Sequence, residues 1–169
     1  MAPDLGPDFN TVHAITCKAV RQVPESKRDF RPAPEMLTTF DLIFHMFSQE
    51  YVMFRACLTG RLKLEDFREI ENAKADLHTI EQLAQYGEKV HSETSRWLAD
   101  ATRDELSGPI ETFAGPSTRG KALQSALHHM LHHRGQLYVY LRLMGIEPIF
   151  VWTGEPIPIV RQKMARMAD

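Results

Sequence analysis

Histidine is the residue type whose spacing in this chain points to chemistry. Eight histidines occur in 169 residues, and four of them, His128, His129, His132 and His133, crowd into one short run. Imidazole is largely neutral near pH 7 and needs little deprotonation to bind a divalent metal. Residues i and i+4 of a helix lie one turn apart on one side, so an HxxxH pair can chelate one ion. Two such pairs overlap here, His128 with His132 and His129 with His133. Measured from the apolar stripe Leu123, Leu127, Met130, Leu137 and Leu141, His133 lies about 60° away and His129 about 100°. His128 and His132 fall about 160° away by the same helical count. A site inside a helical bundle takes its ligands from the edge of the buried face, which favours the inner pair. The outer pair is expected to face solvent or a subunit contact.

The cysteines offer less. Cys17 and Cys57 are too few for a disulfide framework and form no CxxC motif, so buried, reduced thiols in a cytoplasmic protein are expected.

The elements that must position the histidines are helices. A first helix over about 9–23 follows from Phe9, Val12, Thr16, Val20 and Val23, at spacings of three and four, with Pro24 against continuation. Arg31-Pro32-Ala33-Pro34 is a stiff connector whose Pro34 suits the first turn of a second helix over about 35–59. That helix has the most regular stripe: Leu37, Phe40, Phe44, Phe47, Tyr51, Phe54 and Leu58, with Gly60 as its stop. A third, over about 76–101, uses Leu77, Ile80, Ala84, Val90, Trp97 and Leu98, with Gly87 where a large residue is expected. The fourth, over about 118–144, is capped by Ser117 or Thr118 and ended by Gly145 and Pro148, with Ile146 folding back on Leu141. The tail, 146–169, holds Pro148, Pro156 and Pro158 and is expected to be extended, with room for a short helix from Val160. Ile110 to Phe113 and Ile149 to Trp152 are the two weak strand candidates. The expectation is a single all-α domain over 1–169, a four-helix bundle, in which the long second and third links leave the topology open.

Composition sets outer limits. With 43% hydrophobic and 25% charged residues the chain is not disordered, and a formal charge of −2 gives no basic field for nucleic acid or an anionic membrane. No apolar run of about 20 residues exists to span a membrane, and the start, MAPDLGPDFN, does not read as a secretory signal.

The run His129-Met130-Leu131-His132-His133-Arg134-Gly135-Gln136-Leu137, followed by Tyr140-Leu141-Arg142 and Gly145, resembles the HxxHHRGQ helix of the DinB family. Upstream, Phe30-Arg31-Pro32-Ala33-Pro34 leads into a helix bearing Leu42-Ile43-Phe44-His45 and then Glu50, a second match. The resemblance spans about 9–148 and implies a DinB/YfiT-like, up-down-down-up bundle in which His45, His129 and His133 hold a divalent metal at one end. Periodicity supports His133 and, less strongly, His129; the choice of His45 rests on the resemblance. Gln136 and Tyr140 follow the two ligands along the same edge and are candidates to line a pocket. Arg134 projects almost into the apolar stripe, so an acidic partner, Glu50 or Asp41, is expected for it. Gly135 would permit close helix contact, and Glu81, Glu93 and His91 are candidates to face the same cleft.

Three imidazoles leave coordination positions open, as a catalytic site does. Some proteins of the wider family this chain resembles use the metal to activate a low-molecular-weight thiol. The first functional expectation is therefore a metal-dependent thiol S-transferase acting on small electrophiles, with zinc or nickel as the first candidate ions. The alternatives are a metal-dependent hydrolase, a non-catalytic stress-associated metal-binding or scaffold protein, and a histidine-rich metal store. The expected partners are a small-molecule substrate and a second copy in a homodimer, joined through the His128/His132 edge or the tail.

Overall fold

α2 (Thr39–Thr59) is the central element of the computed structural model, which describes residues 5–112 and 115–167. It packs against both α4 (Ile80–Asp100) and α6 (Arg119–Leu143), and α1 (Leu5–Val20) closes the arrangement against the same two helices. Among the described residues the chain is mostly helical, with three shorter α-helices, α3 (Leu64–Ala75), α5 (Arg103–Ser107) and α7 (Ile157–Arg166), and one hairpin of β1 (Pro109–Thr112) and β2 (Gly115–Thr118). No described helix is long and apolar enough to cross a membrane.

The helix ends follow local chemistry more closely than hydrophobic spacing. α2 starts at Thr39 instead of 35, because Thr38 is extended and its hydroxyl accepts from the Asp41 amide at 3.0 Å. The next two free amides, Thr39 and Phe40, donate to the carbonyls of Phe30 and Arg28, so the connector folds back on the helix start. Pro34 therefore lies in a turn and not in the helix. α1 stops at Val20, three residues short of the expected 23, in a turn that still buries Val23. α4 begins after Thr79, whose side chain and Gln82 form a reciprocal capping box. α6 is capped by Thr118 and ends as expected: Gly145, at φ 81°, donates to Arg142, and Ile146 donates back to Leu141.

Four expectations are corrected. The link over 61–75 contains α3, which carries too few apolar residues to show a stripe; Ile70 reaches the core while Phe67 is exposed. The link before α6 forms α5 and the hairpin, whose Ile110 is buried; Phe113, from the same strand expectation, lies outside the described residues. Ile149 to Trp152 forms no strand. The tail is not extended throughout, since Pro156 and Pro158 stand at the start of α7, where a missing N–H costs nothing.

The core divides into a larger cluster around Ile43, Phe47, Leu83, Met130, Leu137 and Leu141, and a smaller one around Phe9, Met53, Ile110 and Leu123. Gly87 breaks the α4 stripe for a steric reason. A Cβ there would lie 2.7 Å from the ring of Phe47, so the ring occupies the space a side chain would need.

Candidate metal centre

His45 comes from α2, and His129 and His133 from α6, on the faces where the two helices meet. Nε2 of His129 lies 3.0 Å from Nε2 of His45 and 3.1 Å from Nε2 of His133. Three ligands at a zinc–nitrogen distance of about 2.05 Å in a tetrahedral arrangement would be about 3.3 Å apart. The rings stand at 64° to 83° to one another, so their in-plane lone pairs can converge on one point.

Hydrogen bonding fixes part of this set. Nδ1 of His133 lies 2.7 Å from Oε1 of Gln136, an acceptor, so the proton sits on Nδ1 and Nε2 is bare. The Gln136 amide nitrogen donates in turn to Nε2 of His132 at 3.2 Å. Burial, then neighbouring histidines, hold His129 down to about 4. Burial, then His133, also lowers His45. Both rings are thus neutral at pH 7. His129 Nε2 cannot act as acceptor toward one neighbour and donor toward the other, and a cation resolves that conflict. The donor set fits a divalent metal ion.

His13, Glu50 and His91 form another dense group, from α1, α2 and α4. Glu50 is fully buried; its Oε1 lies 3.0 Å from His91 Nδ1 and its Oε2 3.4 Å from His13 Nδ1. His91 continues to Asn10 at 2.9 Å and Ser95 at 3.0 Å. Here the two imidazoles are stacked, 3.9 Å apart and 5° from parallel, so their in-plane lone pairs cannot meet at a common ion. Cys17 Sγ lies 3.1 Å from His13 Nε2, which completes a Cys–His–Glu series. Burial pushes that thiol up to about 12, and its exposure of 3% leaves no access for a substrate. This group is a buried polar network; sequence reasoning singles out Glu50 and His91 separately and does not bring the group together.

Several expected members of the site lie elsewhere. Tyr140 is buried and donates to the Leu37 carbonyl at 2.9 Å, which ties α6 to the approach to α2. Arg134 has neither expected acidic partner: Glu50 faces the two histidines, and Asp41 pairs with Lys74 at 2.7 Å. Gly135 is exposed, and a Cβ there would meet nothing within 4 Å, so it serves no close helix contact. Glu81 pairs with Arg21, Glu93 is exposed, and His91 belongs to the Glu50 network. His128 and His132 are exposed, as their position on the helix requires.

His45 also stands in the wall of a cavity of about 450 Å³ between α2 and α3. Phe44, Val52, Phe67 and Ile70 make much of that wall apolar, and Asp41 and Lys74 add an ion pair to it. Neither Gln136 nor Tyr140 is part of it.

Residues 8–154 match the DinB family. The uncharacterized protein YjoA of Bacillus subtilis (strain 168) is 25% identical over 134 residues, covering 78% of this chain and 82% of that protein. The crystal structure of the DinB-like YjoA from Bacillus subtilis is similar with a TM-score of 0.69 and 21% identity, over 83% of this chain and 91% of that one. A DinB-like protein from Bacillus cereus gives 0.69 at 17% identity, over 85% and 94% of the two chains. A histidine-to-alanine mutant of the mycothiol-dependent maleylpyruvate isomerase gives 0.57 at 16% identity, over 79% of this chain and 60% of that one.

Proposed function

The chain belongs to the DinB family, and from that premise we propose that His45, His129 and His133 hold one divalent metal ion, zinc or nickel, for thiol transfer to small electrophiles. The observation that carries the reading is the convergence of three Nε2 atoms beside a cavity whose wall includes His45. A divalent ion, when bound, supplies Lewis acidity that lowers the pKa of a thiol or water.

The protein's own residues do the rest. Burial keeps His45 and His129 unprotonated, so their lone pairs are available at neutral pH. Gln136 holds His133 in the tautomer whose Nε2 is free. Phe44, Val52, Phe67 and Ile70 offer an apolar wall to the body of an electrophile and limit water there. A thiol is the co-substrate to test first because one relative in fold is a mycothiol-dependent isomerase.

The same reading takes the four long helices as an up-down-down-up bundle and the protein as a cytoplasmic homodimer. Val139 and Leu143, 52% and 58% exposed and one turn apart on α6, give the dimer an apolar contact.

The test is to purify the untagged protein, measure metal per chain, and assay small thiols with a chromogenic aryl halide. About one ion per chain and strictly thiol-dependent product formation are expected. Ester hydrolysis that proceeds without thiol makes the protein a hydrolase instead. Stoichiometric metal with no turnover under either assay leaves a metal-binding or scaffold protein.

A further inference from the structure

α6 meets a different neighbour on the side next to its histidines. His129 and His133 face His45 of α2, whereas Arg134 turns toward α1, where it reaches the Val12 carbonyl at 3.4 Å. Arg134 is only 6% exposed. That long hydrogen bond is its single protein acceptor among the described residues, and no carboxylate lies within ion-pair distance of it. A guanidinium stays charged at any physiological pH, so burial cannot be relieved by losing the proton. A buried charge of this kind requires a counter-charge or polar partners.

The space for one is present. Arg134 lines a cavity of about 380 Å³ between α1, α6 and the turn at Val151 and Trp152. Ile15, Leu127, Leu131 and Trp152 make its wall largely apolar, Gln124 adds an amide, and Asp8 adds a carboxylate that is not bonded to Arg134. The volume lies within the range of about 300–1,000 Å³ found for small-molecule pockets.

We propose that this cavity binds a small carboxylate carried on an apolar body, with the carboxylate on Arg134 and the hydrocarbon against Ile15, Leu127 and Leu131. One planar guanidinium matches one carboxylate through two parallel hydrogen bonds. A phosphate dianion is disfavoured, because it would meet a single fixed cation and the negative charge of Asp8. The site is separate from the three-histidine centre and does not depend on the function proposed for it.

Trp152, 76% exposed in the cavity wall, is a built-in reporter. The experiment titrates the Trp97→Phe protein with octanoate, its uncharged isostere octanamide, and inorganic phosphate, following tryptophan fluorescence. Octanoate is expected to give a saturable change, with octanamide weaker by about tenfold or more, as a charge-assisted hydrogen-bond pair implies. Phosphate should give none. Arg134→Gln should bring octanoate down to the level of octanamide, and Asp8→Asn should tighten it. The comparison of acid with amide needs no variant at Arg134, so it stands even if Arg134→Gln does not fold. Equal binding of octanoate and octanamide, no saturation with octanoate, or a response abolished by His133→Ala would each overturn the proposal. The last of these would put the carboxylate on the histidine centre.

Discussion

Nδ1 of His133 and Oε1 of Gln136 are 2.7 Å apart, one turn along the same helix, and this bond decides which imidazole nitrogen faces His129. An amide oxygen only accepts, so the ring proton is held on Nδ1 and the Nε2 lone pair is directed at the site. The same amide then donates to His132. Gln136 is therefore a positioning residue for the candidate metal ligand, and the exposed His132 steadies it from outside.

Metal affinity should report this order of importance. His133→Ala is expected to lose stoichiometric metal while the helical circular dichroism persists. Gln136→Ala, which keeps all three imidazoles, should weaken binding by about 10- to 100-fold. Competition with a chromogenic chelator measures both. An unchanged affinity in Gln136→Ala would remove Gln136 from the site.

Two glycines should respond in opposite directions to the same substitution. Gly87→Ala drives a methyl to 2.7 Å from the Phe47 ring, which is fully buried and cannot swing away. The expected loss is about 1–3 kcal/mol, the usual cost of overpacking, despite the better helix propensity of alanine. Gly135→Ala meets nothing within 4 Å and should gain up to about 1 kcal/mol. Urea unfolding of the two variants gives both signs; a stabilised Gly87→Ala would contradict the packing described.

The sequence was legible where a single helix carries the whole signal. The α2 stripe appears as spacing, and Phe40, Phe44, Phe47 and Phe54 are indeed buried. Leu37 and Leu58 are exposed, the first because it precedes the helix and the second because it lies in its last turn. His129 and His133 can be read as an edge pair, since one helix fixes both. His45 cannot, because its meeting with them is set by the packing of α2 on α6. The Glu50 network draws on three helices, so no spacing within one of them announces it. For Arg134 the cost of an unpaired buried charge is a sound premise. It does not find the partner, because both available acids are engaged elsewhere.

Tyr140 separates a pocket role from a structural one. Its hydroxyl donates to the Leu37 carbonyl at 2.9 Å, and its ring meets Phe30 edge-on. Tyr140→Phe keeps the ring contact and removes the bond. Stability should fall by about 0.5–1.5 kcal/mol, with metal affinity unchanged. A fall in metal affinity without loss of stability would return Tyr140 to the site.

Acid should destabilise the protein through Glu50 and His13. Burial alone would raise the Glu50 carboxyl, but the facing imidazoles of His13 and then His91 outweigh it and hold it below its ordinary 4.5. For His13, burial outweighs the attraction of Glu50 and holds the ring below its ordinary 6.5. In both cases the unfolded chain takes up protons at a higher pH than the folded one, so stability falls as pH falls. The loss begins below 6.5, as His13 protonates in the unfolded chain, and continues below 4.5 as Glu50 does. His45 and His129, also lowered, add to the first part in metal-free protein. Glu50→Gln should cost about 1.5–3 kcal/mol at pH 7, the worth of hydrogen bonds to a charged acceptor. It should also flatten the profile below 4.5 while keeping the fall that starts at 6.5. Urea unfolding of metal-free protein at pH steps from about 8 to about 4 measures both curves. Parallel profiles in the carboxylate range would mean that Glu50 does not carry the buried charge assigned to it.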